Sequence, residues 1–127
     1  MKHLILTMAA LLTGSAIHAQ EDAGSLDVKA FRQAMKDKHA LVIDVRTASE
    51  FREGHIEGAA NIDWEAGTLA QDLSGIDKEG PVLLYCGSGK RSRQAKEVLI
   101  EAGFKQVHDL AGGLEAWEQD QQPVIRQ

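Results

Sequence analysis

The chain carries a single cysteine, Cys86, at the head of the run Cys86-Gly87-Ser88-Gly89-Lys90-Arg91-Ser92. The nucleophile of cysteine chemistry is the thiolate, whose pKa falls below about 8.5 where backbone N–H groups at a helix start or cationic side chains face it. The run offers both. Gly87 and Gly89 let the backbone curl into a concave nest of N–H groups. Lys90 supplies a mobile point charge, and Arg91 a planar group with several donors. Ser88 and Ser92 add hydroxyls, Ser92 being equally suited to the start of a helix. Such a loop suits a sulfur- or phosphorus-centred anion handled through a covalent cysteine intermediate. The competing reading is a buried, inert thiol; the glycines and charges that follow at once argue against it. With one thiol and no spaced histidine cluster, neither a metal site nor a cofactor is expected.

The elements that must position this loop follow from hydrophobic pattern. Val82-Leu83-Leu84-Tyr85 is a buried strand, and Pro81 can stand at its first position. Residues 92–102 form the clearest helix, with Ala95, Val98, Leu99 and Ala102 as one stripe and Gly103 as its stop. Upstream, Ser25-Leu26-Asp27 reads as a helix start with Ser25 or Asp27 as the cap, followed by Val28, Phe31 and Met35 at helical spacing. Residues 40–45 form a short apolar strand, Thr47 or Ser49 caps a short helix through Glu50 and Phe51, and Ala59–Ile62 is a weak strand. Residues 69–73 belong to a helix; 104–110 hold the last strand; Gly112-Gly113 turns into a helix with Leu114 and Trp117. Continuous apolar strands alternating with helices predict parallel pairing, with cover on both faces. Ligands of such sheets bind beyond the carboxyl ends of the strands. Cys86 and Asp44-Val45-Arg46 both fall there. Asp44 is expected to support the loop, by pairing with Arg91 or accepting loop N–H groups. His55 is expected to be an architectural hydrogen-bonder.

A formal net charge of −5 gives no basis for nucleic-acid binding. Lys2 and His3, an apolar run over 4–12 and small residues to Ala19 read as a secretory signal cleaved after Ala19. The expected organisation is a signal peptide over 1–19, a flexible segment over 20–25, one domain over 26–119 and a tail over 120–127. The expected location is the periplasm, with no stable membrane insertion after cleavage. A monomer is expected.

Three stretches together resemble the rhodanese family. Leu41–Arg46 with Glu50-Phe51 and Gly54–Ile62 is similar to its N-terminal signature, Val82–Ser92 to its active loop, and Asp109–Trp117 to its C-terminal signature. The resemblance implies an α/β domain with a central parallel five-stranded sheet and helices on both faces. It implies that Cys86 takes a sulfane sulfur as a persulfide from thiosulfate or another donor and passes it to cyanide, a small thiol or a thiol protein. Residues 87–92 would bind substrate, with Asp44, Arg46 and His55 in support. Four residues separate Cys86 from Arg91, as in the family's sulfurtransferases. Its phosphatase and arsenate-reductase relatives enclose five and would place arginine at Ser92. A non-catalytic sulfur-carrier or partner-docking module is the remaining alternative.

Overall fold

The computed structural model describes residues 24–127. The segment read as a signal peptide and the residues up to 23 lie outside the described residues. Five strands form one sheet: β1 Ser25–Leu26, β2 Leu41–Asp44, β3 Ala60–Asn61, β4 Pro81–Tyr85 and β5 Gln106–Leu110. Their order is β1-β5-β4-β2-β3, and every pairing is parallel. The helices are α1 Val28–Ala34, α2 Ala48–Glu53, α3 Leu69–Asp72, α4 Lys90–Glu101 and α5 Gly113–Gln119, with a 3-10 turn at Trp64–Ala66.

Alternation along the central strands sorts the core into two layers. Ile43, Val82 and Leu84 pack with Leu69 of α3 and with Ala95 and Leu99 of α4. Val42, Leu83 and Tyr85 pack with Phe31 of α1 and with Leu114 and Trp117 of α5. The α/β architecture with both faces covered is thus the one expected, because strands buried on two sides need apolar residues on both.

The chain ends differ from the sequence reading. Ser25-Leu26 forms an edge strand, and of the two expected caps it is Asp27 that starts α1, accepting the Ala30 N–H at 2.8 Å. Leu26 accepts the Ala111 N–H at 2.7 Å, and the Ser25 hydroxyl donates to both oxygens of Asp109. Residues 120–127, expected as a tail, return to the domain. Trp117 Nε1 donates to the Pro123 carbonyl at 2.8 Å, and His55 and Ile125 exchange two backbone hydrogen bonds of 2.9 Å.

Asp109 has no exposed surface. It is balanced by Lys96 of α4, whose Nζ lies 2.6 Å from Oδ1 and also donates to the Gly24 carbonyl. One cation therefore joins α4, β5 and the start of β1. Removing one partner of a buried pair leaves an uncompensated charge, so Lys96→Met is expected to destabilise the domain by about 3 kcal/mol or more. Urea unfolding measures it; a loss below about 1 kcal/mol would show that Asp109 does not depend on the ammonium.

Candidate active site

Cys86 extends β4 by one residue, and strand alternation turns its side chain to the face covered by α4. The next three residues curl, and α4 begins at Lys90, two residues before the start expected from its apolar stripe. Its cap is Gly89, at φ +106°, a conformation that favours glycine. A Cβ there would stand 3.3 Å from the Gly112 nitrogen.

The curl delivers donors to the sulfur. Cys86 Sγ accepts the Gly89 N–H at 3.1 Å and the Ser92 N–H at 3.4 Å, and the Ser92 hydroxyl oxygen lies 3.5 Å away. Cys86 and Ser92 have no exposed surface. Burial alone pushes the thiol up, but the Ser92 hydroxyl and the N–H groups of Ser92, Gly89 and Ser88 outweigh it. The thiol is held below its ordinary value.

A second helix start holds the loop from behind. The Leu114 N–H donates to the Cys86 carbonyl at 2.8 Å, and the Glu115 N–H to the Gly87 carbonyl at 3.0 Å. In a trans peptide the N–H points opposite to the C=O. Drawing the Gly87 carbonyl toward α5 therefore turns the Ser88 N–H toward the sulfur. Gly113 lies against this peptide at φ +59°, and a Cβ on it would stand 2.5 Å from the Cys86 oxygen and 2.6 Å from the Gly87 carbonyl carbon.

Lys90 and Ser88 are exposed at the rim. Arg91 is half-buried, and its two terminal nitrogens meet the two oxygens of Glu50 at 3.0 and 3.2 Å. The Arg91 fork holds the Glu50 carboxyl down at about 2, so the pair stays ionised at any ordinary pH. Glu50, and not Asp44, is thus the carboxylate opposite Arg91. Sequence reasoning missed it as a site residue, although Thr47-Ala48-Ser49-Glu50 has the spacing of a capping box. That box is present, and it makes Thr47 rather than Ser49 the cap of α2.

Asp44 ends β2, Arg46 and His55 stand on either side of α2, and none of them hydrogen-bonds residues 86–92. Asp44 turns back onto its own neighbour. Its oxygens accept from Arg46 Nε at 3.0 and 3.1 Å and from Arg46 Nη2 at 2.7 Å, and Oδ1 also accepts the Arg46 N–H at 2.9 Å. Arg46 also donates to the Gly54 carbonyl at 2.6 Å. The Tyr85 hydroxyl, next in the network, accepts the Ile56 N–H at 3.0 Å. Burial and then Asp44 push its phenol well above the ordinary tyrosine range. His55 Nδ1 lies 2.7 Å from the Phe51 carbonyl, and its ring stacks on Phe51 at 3.6 Å. Among the described residues no cluster of three or more metal-ligating side chains occurs.

The family model for the rhodanese-like domain matches residues 27–120. Thiosulfate sulfurtransferase GlpE of Shewanella oneidensis is 34% identical over 94 residues, covering 74% of this chain and 91% of that protein. The protein of the same name from Coxiella burnetii is 35% identical over 86 residues, covering 68% and 78%. The solution structure of the rhodanese-like domain of an Anabaena protein superposes with a TM-score of 0.73 at 27% identity, covering 82% of this chain and 80% of that one. These matches correct the periplasmic expectation. The GlpE relatives are cytoplasmic sulfurtransferases rather than secreted proteins. The apolar run that suggested export lies outside the described residues. No helix among the described residues is long and apolar enough to cross a membrane.

Because the surrounding donors hold the thiol below its ordinary value, alkylation of Cys86 by iodoacetamide should have its pH midpoint below that of a free cysteine, and fall off only under that midpoint. Gly113→Ala must displace the Cys86–Gly87 peptide, so its midpoint should rise toward the free value. An unchanged midpoint in a folded Gly113→Ala protein would show that the α5 clamp does not set the donors.

Proposed function

The chain belongs to the rhodanese family, and from that premise we propose that it transfers a sulfane sulfur from thiosulfate, through a persulfide on Cys86, to a nucleophilic acceptor such as cyanide or a thiol. The observation that carries the reading is the cradle of inward-facing N–H groups and a hydroxyl around the sole thiol. It stabilises an anionic sulfur, which the resting thiolate has and the product persulfide retains.

In the first half-reaction the Cys86 thiolate attacks the outer sulfur of thiosulfate. A Cys86 S–S bond forms, the sulfur–sulfite bond breaks, and sulfite departs with the electron pair. In the second, cyanide attacks the outer persulfide sulfur; thiocyanate leaves and the Cys86 thiolate returns. A thiolate acceptor follows the same course and leaves as its own persulfide. No redox partner is consumed. The two half-reactions are separable covalent steps. Cys86 has no exposed surface, so the donor meets it through the rim at Gly87, Ser88 and Arg91, where the loop must give way. Arg91 binds the sulfonate oxygens, and Lys90 contributes long-range attraction. Asp44, Arg46 and His55 act as scaffold. The chain works as a single rhodanese-like domain, and the enzyme acts as a monomer.

Incubation with thiosulfate should add one sulfur atom to the intact mass, and cyanide should then remove it as thiocyanate. Cys86→Ser should show neither change; turnover by that variant would end the persulfide mechanism. Arg91→Ala should raise the thiosulfate KM by about fivefold or more with a small change in melting temperature, as loss of a charge-assisted bond to substrate predicts. A large fall in melting temperature with unaltered kinetics would assign Arg91 to structure instead.

A further inference from the structure

We propose that Glu50 is a positioning residue for the sulfur-donor step, fixing the Arg91 guanidinium over the Cys86 loop so that its unpaired N–H groups meet the sulfonate of the incoming donor. The proposal rests on the sulfurtransferase reading above and on Arg91 as the sulfonate-binding group.

The carboxylate is anchored before Arg91 reaches it. Glu50 Oε1 accepts the Thr47 N–H at 3.0 Å and the Thr47 hydroxyl at 3.1 Å, so the cap of α2 fixes its rotamer. The same oxygen accepts from Arg91 Nη1 at 3.0 Å, and Oε2 accepts from Nη2 at 3.2 Å. A guanidinium has five N–H groups in a fixed plane, and this fork takes two of them. The others stay available to a substrate. Gly87 places the guanidinium beside the loop: a Cβ there would stand 3.4 Å from Arg91 Nη2. A long arginine side chain without this tether would sample many rotamers in water.

The exposure of the pair argues for orientation rather than stability. The side chains of Arg91 and Glu50 are 26% and 37% exposed, whereas Asp44–Arg46 and Lys96–Asp109 are almost fully enclosed. Exposed pairs add little to folding stability. What this one supplies is a link between two segments 41 residues apart, α2 and the active loop, at the mouth of the nucleophile.

Glu50→Gln separates the two roles of the side chain. Glutamine still completes a capping box, but its amide nitrogen faces an N–H donor, and the fork is lost. The thiosulfate KM should rise about fivefold, with kcat within about twofold and the melting temperature close to that of the parent. In the Arg91→Ala background the same change should add less than about twofold, since residues acting through one contact are not additive. An unchanged KM in Glu50→Gln, with a raised KM in Arg91→Ala, overturns the positioning role and leaves Arg91 as the sulfonate group. An equal rise in both backgrounds also overturns it, because Glu50 would then act by another route. An unchanged KM in Arg91→Ala removes the sulfonate-binding role itself and the proposal with it.

Discussion

A sulfur anion with no exposed surface must find its solvation inside the protein. An unpaired buried charge reverts to its neutral form, and a neutral thiol is a poor nucleophile. Everything around Cys86 follows from this requirement. The donors are mainly backbone N–H groups, which carry no side-chain entropy and are fixed once the peptide planes are fixed. One of them, the Ser88 N–H, takes its direction from the Gly87 carbonyl, which the Glu115 N–H holds while the Leu114 N–H holds the carbonyl of Cys86. The environment of a residue at the end of β4 is therefore set in part by a helix that starts after β5. Gly113 is the point where that dependence allows no side chain.

The strand order explains how three distant segments converge. β4 is central, with β5 on one side and β2 on the other. In a parallel sheet all strands leave the same edge. Beyond β4 comes the nucleophile loop, beyond β5 the glycine pair and α5, and beyond β2 the Asp44–Arg46 unit and α2. The neighbours do different work. The β5 side acts on backbone geometry at short range. The β2 side acts through charge: Asp44 neutralises Arg46 internally and leaves Glu50 as the carboxylate facing Arg91. A buried Asp44–Arg46 pair of this kind stiffens the segment on which Glu50 stands, because Arg46 also takes up the Gly54 carbonyl at the far end of α2.

What the sequence made legible was set by the range of the interactions involved. β2 and β4 were readable because strands buried on two faces require nearly unbroken apolar runs. The stripe of α4 was readable for the same reason, but its first turn was not: Gly89 in a left-handed conformation replaces the side-chain cap that the eye looks for near Ser92. β1 has two residues and owes its existence to Asp109, 84 positions away. No local pattern announces such a strand. The cysteine loop was legible as a site because its residue types are concentrated in one run. The partner of Arg91 was not, since Asp44 at the end of β2 and Glu50 in α2 are both carboxylates distant from it in sequence. Asp44 is taken by Arg46 two residues on, a short-range bond that empties it for any other role. The return of the tail to His55 is likewise a pairing across 70 positions that composition does not encode.

Position 92 decides between the chemistries such a loop can host. A phosphoryl group brings several oxygens whose charge must be met together, and a cationic fork at the end of the loop is one way to meet it. Here that position is Ser92, without exposed surface, its hydroxyl 3.5 Å from the sulfur and 3.3 Å from the Gly89 carbonyl. An arginine at 92 would have to place a guanidinium in the space beneath the nucleophile, where Ala95 and Leu99 are already fully buried. The nearest fork, Arg91, is committed in part to Glu50. What remains around Sγ is a small set of N–H groups converging on one atom. That is the demand of a thiolate and of a persulfide, whose charge resides on sulfur. The geometry therefore favours a reaction that hands over a single sulfur atom over one that must enclose an oxyanion.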